Sequence, residues 1–335
     1  MDFVNVMVVS KISEESKRQI EAVSPRIKLR DTSHLWNAVR IRDSSQKDDF
    51  SSPEFDEILS QAEVIYGFKP PKNVVARAPK LKWIQCMLAG VEFFLDEQLV
   101  RSRVTVTNMS GIHATAVGEV VLEMMLMLAK HATVFCQQKR QRLWQRFIPE
   151  VLRDKTVGIM GLGSIGKEVA RLSKAFGMRV LATRRSARRG QRARNVDRLL
   201  PRADLPELLS ESDFVVVTLP LTQETNKMLS AQEFRMMKPT AHFINVGRGE
   251  TVDEDALIRA LEERRFAGAG LDAFATEPLP ESSKLWELPN VFISPHVSGI
   301  LKDYDKVINK LFCENLRRYL GGKRLLNVVN KKIGY

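Results

Sequence analysis

The chain has little cysteine, three in 335 residues. Cys86, Cys136 and Cys313 lie far apart and form no CxxC pair, which excludes a disulfide framework and the common zinc spacings and points to a reducing compartment, the cytoplasm. Long apolar runs are also missing. The richest, Val117 to Ala129, is broken by Glu119 and Glu123 and falls short of a membrane span. The apolar opening, Phe3 to Val9, is too short for a signal-peptide core and follows Asp2 rather than a basic segment. No internal repeat or low-complexity linker interrupts the chain. What is there, 44% apolar and 27% charged residues, is the composition of a folded globular protein, and the length suits two domains, each with its own core. A net charge of +12 invites a nucleic-acid reading, but its densest contributions have local explanations. Lys139 to Arg146 reads as a solvated helix face, and Arg184 to Arg194 has the specific reading given below. We therefore expect no membrane partner and no nucleic acid.

The stretch from Lys155 to Gly166, KTVGIMGLGSIG, organises the rest. A short apolar strand, Val157 to Met160, runs into Gly161, Gly163 and Gly166, and a helix opens at Ser164 and Ile165. Gly161 permits the tight turn, Gly163 lets the backbone approach a pyrophosphate, and Gly166 allows close helix–strand contact. The free N–H groups of the helix N-terminus then face the phosphates. A second apolar strand, Arg179 to Thr183, completes the context that such a glycine motif requires. In an NAD site an acidic residue about 20 positions beyond the glycines holds the ribose 2′-hydroxyl. Here that strand ends in Ala182-Thr183-Arg184-Arg185-Ser186, with no carboxylate. Two guanidiniums suit a 2′-phosphate through charge-assisted hydrogen bonds, so NADP, as NADPH, is expected over NAD.

Upstream, strands at Val4 to Val9, Arg26 to Leu29, Val64 to Gly67 and Trp83 to Cys86 alternate with helices at Ser13 to Ala22, Pro53 to Ser60 and Asn73 to Ala78, with a polar loop over Ser44 to Ser52. This predicts a small parallel-sheet α/β domain whose site lies beyond the carboxyl ends of its strands. Gly67-Phe68-Lys69 and Leu88-Ala89-Gly90 fall there; Ala89 and Gly90 either present N–H groups to a small anion or form an ordinary turn. A long helix, Ala114 to Lys130, carries Val117, Val121, Met124, Met125 and Leu128 at helical spacing, a face for core or subunit contact. A second helix over Val134 to Trp144 carries the basic run. Downstream of Lys155, further strands at Phe214 to Leu219, His242 to Val246, Gly268 to Leu271 and Val291 to Ile293 alternate with helices starting near Pro206, Ala231 and Asp253. This predicts a Rossmann-type doubly wound parallel sheet, and an amphipathic helix, Tyr304 to Leu320, closes the chain.

Three polar residues fall just past successive strand ends of that second series: Arg248, Glu277 and His296. In a doubly wound sheet such ends converge on one crevice. A cation, a carboxylate and an imidazole are the set that hydride transfer to a 2-oxo acid requires. The imidazolium protonates the carbonyl oxygen as hydride arrives; the carboxylate fixes its tautomer; the guanidinium holds the substrate and polarises its carbonyl. None of this calls for a metal. His34, His131 and His242 have no ligand-spaced partner and read as structural, and His113, entering the long helix, is not expected to act directly.

In order and spacing, GLGSIG, NVGRGETVDEDAL, GAGLDAFATEPLP and LWELPNVFISPHVSG resemble the D-isomer-specific 2-hydroxyacid dehydrogenase family, and LKWIQCMLAGVE and NMSGIHATAVGEVVLEMML extend the resemblance back to about Leu81. The resemblance implies that Arg248 binds substrate, Glu277 is the carboxylate of the EP motif, and His296 is the acid/base of the PH motif. It implies that Asp272 contacts the nicotinamide amide and that Ala89 and Gly90 are backbone donors to the substrate carboxylate. It also implies a smaller flavodoxin-like substrate domain over 1–104 and 298–335, a dinucleotide-binding domain over 105–297, and a homodimer built around the helix from Ala114 to Lys130. The pattern is similar to that of the NADPH-using glyoxylate/hydroxypyruvate reductases, in which Trp286 would lie near a neighbouring active site or else serve as a hydrophobic anchor. Phe68, Leu88 and Trp286 suggest a partly apolar pocket for a small side chain. Glu92, Gly118 and Lys130 depart from the family's commonest residues without touching the catalytic set. The alternatives are a dinucleotide-sensing corepressor, which the family also includes, and a D-3-phosphoglycerate dehydrogenase-like enzyme, disfavoured by the absence of a regulatory domain after Leu320.

Overall fold

The computed structural model describes residues 3–35, 52–91 and 93–334. The loop expected over Ser44 to Ser52 lies outside them except for its last residue, and so does Glu92. The chain forms two compact units, one of residues 1–112 with 302–335 and one of residues 113–301.

The first unit carries a parallel five-stranded sheet: β1 (Val4–Val8), β2 (Ile27–Asp31), β3 (Val64–Gly67), β4 (Trp83–Cys86) and β5 (Thr105–Thr107), in the order β2-β1-β3-β4-β5. This is the flavodoxin-like order. Helices α1 (Glu14–Glu21), α2 (Pro53–Gln61), α3 (Val74–Arg77) and α4 (Glu97–Arg101) connect the strands. Ser13, Ser52 and Asp96 cap α1, α2 and α4, each accepting a backbone N–H of the first turn. Both faces of the sheet are covered, so β3 and β4 are buried throughout. The last helix of the chain, α11 (Tyr304–Leu320), lays Ile308, Phe312 and Leu316 into the core formed by Val6, Val8 and Trp83, with Phe312 stacked 3.9 Å from Tyr66.

β5 is a strand that periodicity does not reveal, since TVT offers three residues and no run. Its partner creates it: β4 pairs it on one edge, and the carboxyl-terminal segment covers the other, with Val329 N–H bonded to Val106 O at 2.8 Å and Thr107 bridged to Val328. The chain consequently stays with the first sheet beyond residue 105 and crosses at Ile112/His113, returning at Leu301/Lys302, against expected crossings at 104/105 and 297/298.

The second unit carries a parallel seven-stranded sheet. Its strands are β6 (Thr156–Met160), β7 (Arg179–Thr183), β8 (Arg198–Leu200), β9 (Phe214–Val217), β10 (His242–Asn245), β11 (Gly268–Leu271) and β12 (Val291–Ile293), ordered β12-β11-β10-β9-β6-β7-β8. Counted from β6, this is the doubly wound 3-2-1-4-5-6 order with one strand added, and its direction of winding reverses between β6 and β9. β9 reads FVVV because Val215 and Val217 enter one core and Phe214 and Val216 the other. Helix α5 (Ala114–Ala129) buries Val117, Val121, Met124, Met125 and Leu128 against this unit's own sheet, with the Met124 side chain over Gly270, and packs along α7 (Ser164–Ala175). The methionine face is therefore core. Gly118 stands where an added methyl would meet Glu168 of α7 at 2.8 Å.

Helix α6 (Ala132–Gln141) is shorter than expected. Arg142, at φ +56, ends it before Trp144, and none of its residues is buried. The remaining helices of this unit, α8 (Leu205–Glu211), α9 (Ala231–Met236) and α10 (Glu254–Glu262), cover the sheet. Among the described residues no helix is long and apolar enough to cross a membrane.

Candidate active site

β10, β11 and β12 are neighbours in the sheet, so the segments that follow them share one end of it. Arg248 stands three residues past β10, Glu277 six past β11 and His296 three past β12. Glu277 and His296 are brought into contact. The His296 Nδ1 lies 2.8 Å from Oε1 and 2.9 Å from Oε2 of Glu277, a forked pair with about a fifth of each side chain exposed (23% and 19%). Phe274 N–H donates to the same Oε1 at 3.1 Å and holds the carboxylate in place. A carboxylate accepts only, so Nδ1 carries the proton of this contact, and Nε2 is the ring nitrogen turned away from Glu277.

His296 has φ +53, a left-handed conformation that costs a non-glycine residue about 1 kcal/mol or more and is kept only where the surroundings enforce it. Asp272 enforces it. Fully buried just past β11, its Oδ1 accepts from Ser294 Oγ at 2.6 Å, Val297 N–H at 3.0 Å and Ser298 N–H at 3.3 Å, and its Oδ2 accepts from the Ser298 hydroxyl. The carboxylate thus gathers both flanks of His296 around itself. This bracket was not read from the sequence, although two serines flanking the histidine in ISPHVSG were its signal.

Arg248 leads the turn after β10. Its carbonyl accepts from Thr251 Oγ1 at 2.6 Å and Asn245 Nδ2 at 3.1 Å, and its Nη1 donates to Gly247 O at 3.0 Å. Its charge reaches His113. Burial, reinforced by the Arg248 guanidinium, pushes the His113 imidazole below the ordinary histidine value, while the 2.7 Å bond to Gly299 O opposes the shift.

At the other end of the winding, the glycine turn has the form the spacing predicts. Gly161 has φ +102. A methyl on Gly166 would lie 2.2 Å from Gly161 O, whereas Gly163 faces open space. Helix α7 starts directly after Gly163 with no side chain capping it, so its first N–H groups, from Ser164 and Ile165 onward, remain for an anion. Thr218, past β9, donates to Gly161 O at 2.7 Å and ties the turn across the point where the winding reverses. β7 delivers Arg184 and Arg185 beside this turn, with Gly161 N–H and Leu162 N–H bonded to Thr183 O at 3.2 and 3.0 Å. Arg184 is half-buried and its Nε is buried without a hydrogen-bond partner; Arg185 is exposed. A phosphate group accepting from Arg184 would satisfy that orphaned donor. The open glycine, the uncapped helix and the unpaired guanidinium nitrogen together fit the phosphates of a dinucleotide.

Ala89 and Gly90 belong to the first unit and follow β4. Phe68 lies past β3 in the same unit, with its N–H bonded to Ser10 Oγ at 2.9 Å. Trp286, in the second unit, is half-exposed and anchored by a 3.0 Å bond from Nε1 to Pro280 O.

A model of the family described as D-isomer specific 2-hydroxyacid dehydrogenase, NAD binding domain, matches residues 122–298. A glyoxylate reductase of Aeropyrum pernix is 32% identical over 303 residues, 85% of this chain and 89% of its own. A glyoxylate/hydroxypyruvate reductase B of Pectobacterium carotovorum is 35% identical over 287 residues, 82% of this chain and 88% of its own. A crystal structure of a D-isomer specific 2-hydroxyacid dehydrogenase from Xanthobacter autotrophicus, in complex with NADPH and MES, is 29% identical and matches over the whole of both chains with a TM-score of 0.82. The forked acid–imidazole pair, the dinucleotide turn and these matches agree: the chain belongs to the D-isomer specific 2-hydroxyacid dehydrogenases and is an oxidoreductase with a Rossmann-type, nicotinamide-dinucleotide-binding domain.

Proposed function

We propose that the protein reduces a small 2-oxo acid, of the glyoxylate or hydroxypyruvate kind, to the D-2-hydroxy acid with NADPH. The observation that carries this reading is the fork of Glu277 on His296 Nδ1, at 2.8 and 2.9 Å. Reduction of a carbonyl needs one hydride at carbon and one proton at oxygen; the bound dinucleotide supplies the hydride. His296 gives the proton from Nε2, so that no bare alkoxide forms, and is reprotonated from solvent. Glu277 accepts from Nδ1–H and so holds the ring's orientation and tautomer. Arg248 clamps the carboxylate and polarises the carbonyl. The N–H groups of Ala89 and Gly90 donate to the substrate carboxylate.

The glycine turn with Ser164 and Ile165 would hold the pyrophosphate, and Arg184 with Arg185 the 2′-phosphate. The preference for NADPH is supported by the absence of a carboxylate after β7 and by the unpaired Arg184 Nε. Asp272 has its oxygens engaged by the His296 loop, and we assign it to holding that loop as well as to the nicotinamide amide.

A homodimer in the cytoplasm completes the proposal. Its support is an apolar surface beside α5 rather than the buried face of α5: Phe135, Leu143, Trp144, Ile148 and Val151 are all exposed, Trp144 and Ile148 to 89% and 92%.

The test is loss of absorbance at the nicotinamide band with glyoxylate, hydroxypyruvate and pyruvate, each with NADPH and with NADH, beside His296→Ala. Rapid NADPH oxidation that the substitution abolishes is expected, and the order of rates names the substrate. Tight NADPH binding without turnover of any 2-oxo acid overturns the reductase reading in favour of a nucleotide sensor.

A further inference from the structure

The proposed carboxylate loop is aimed by two grips on its carbonyl groups. Met109 N–H bonds to Leu88 O at 2.9 Å, and Asn108 Nδ2 bonds to Ala89 O at 2.6 Å. In a trans peptide the C=O and the following N–H point in opposite directions. A grip on Leu88 O therefore fixes the direction of the Ala89 N–H, and a grip on Ala89 O fixes that of the Gly90 N–H, both away from Asn108 and Met109. Among the described residues neither N–H donates to another group of the chain.

Asn108 is itself held on every side. It is nine-tenths buried or more, at 5% exposure. Its Oδ1 accepts from Ser110 N–H at 3.0 Å, which leaves the amide nitrogen facing Ala89 and fixes the orientation of the side chain. Its N–H bonds to Asn327 O at 3.2 Å. The Asn327 side chain returns from the far end of the sequence to donate to Ser110 O at 2.7 Å and Asn108 O at 3.3 Å. Asn327 takes φ +54 to do so, and the pairing of Val328 and Val329 with β5 locks it there.

We infer that Asn108 is a positioning residue for substrate binding, which orients the Gly90 N–H toward the substrate carboxylate, and that Asn327 holds Asn108 in register. The inference rests on the reading of Ala89 and Gly90 as carboxylate donors. Asn108 touches no reacting atom; it acts through the Ala89–Gly90 peptide.

The experiment uses the full-length enzyme and three variants. Asn108→Asp keeps the shape and the acceptor for Ser110 but cannot donate to Ala89 O. Asn108→Ala removes both. Asn327→Gly removes the outer brace while tolerating the left-handed backbone. For each, KM and kcat for glyoxylate at saturating NADPH, the Kd of NADPH, the thermal midpoint and hydrogen exchange over residues 86–91 are measured. Misaiming a charge-assisted hydrogen bond raises KM about tenfold in both Asn108 variants, with kcat and the NADPH Kd held within about twofold. Exchange at Ala89 and Gly90 quickens. Asn327→Gly gives a smaller change in the same sense, and combined with Asn108→Ala adds nothing further, because both act through one contact. If Asn108→Ala does not fold, the other two variants decide.

Unchanged KM and unchanged exchange in folded variants overturn the inference. A parallel fall of kcat, both affinities and the thermal midpoint overturns it too, as that is a purely structural role. A wild-type enzyme inert toward every 2-oxo acid overturns the proposed function and with it the substrate half of this inference. Unchanged exchange in variants of an active enzyme overturns this inference and leaves the proposed function standing.

Discussion

Replacing Glu277 by glutamine alters one atom and one charge, and the geometry allows its cost to be worked out. Both carboxylate oxygens lie within 2.9 Å of His296 Nδ1, so in the proton-donating form a full negative charge faces a full positive one. Two unit charges about 4 Å apart at an effective dielectric of about 20 attract by about 4 kcal/mol. About a fifth of each side chain remains exposed, and solvent screening reduces the figure to about 2 kcal/mol of attraction that the amide does not supply, roughly thirtyfold in the proton-transfer step. A second loss follows. Phe274 N–H, which donates to Oε1, selects the amide oxygen of glutamine for that position and leaves the NH2 at the Oε2 position, 2.9 Å from Nδ1, where it opposes the ring N–H and breaks the fork. The ring then keeps one neutral acceptor at Nδ1 in place of an anion. Together these predict a fall in kcat/KM for glyoxylate of about a hundredfold to a thousandfold in Glu277→Gln. The NADPH Kd and thermal midpoint should stay close to those of the wild type. Initial rates at saturating NADPH, with cofactor titration by fluorescence, measure all of this. A kcat/KM within about fivefold of wild type would refute the role of the carboxylate.

Other consequences are more local. Arg184→Ala should weaken NADPH about thirtyfold while leaving NADH within a few fold, since one charge-assisted phosphate contact is removed; equal weakening of both cofactors would refute the 2′-phosphate assignment. Burial, only partly offset by Glu150, holds the His242 imidazole down to about 4, its ring stacked on Phe214 and its Nδ1 unpartnered. The unfolded chain therefore binds a proton that the folded chain refuses between about pH 6.5 and 4, so stability falls as pH is lowered through that window, by about 3 kcal/mol from this residue. His242→Phe should flatten the urea-midpoint profile across it; an unchanged profile would show that another group is responsible. Trp144→Ser with Ile148→Ser should convert a dimer to a monomer in sedimentation at micromolar concentration, and a wild-type monomer would sink the assembly proposed here.

Elements whose signal is local could be read along the chain. Apolar runs such as FVVV at β9, the GLGSIG turn with its helix and the amphipathic α11 are written in consecutive residues, because backbone geometry and the burial of both sheet faces act on near neighbours in the chain. The positions of Arg248, Glu277 and His296 just past strand ends were legible for the same reason. Features that depend on partners distant in sequence arise only in the folded molecule. β5 (TVT) and β8 (RLL) carry no apolar run of their own, and are strands because neighbouring strands supply their hydrogen bonds. His296 holds a left-handed backbone because Asp272, 24 positions earlier, collects the N–H groups and hydroxyls around it. Asn108 points its amide at Ala89 because Asn327, 219 residues away, fixes its backbone. Such contacts follow from where folded strands end in space, and no spacing along the chain encodes them.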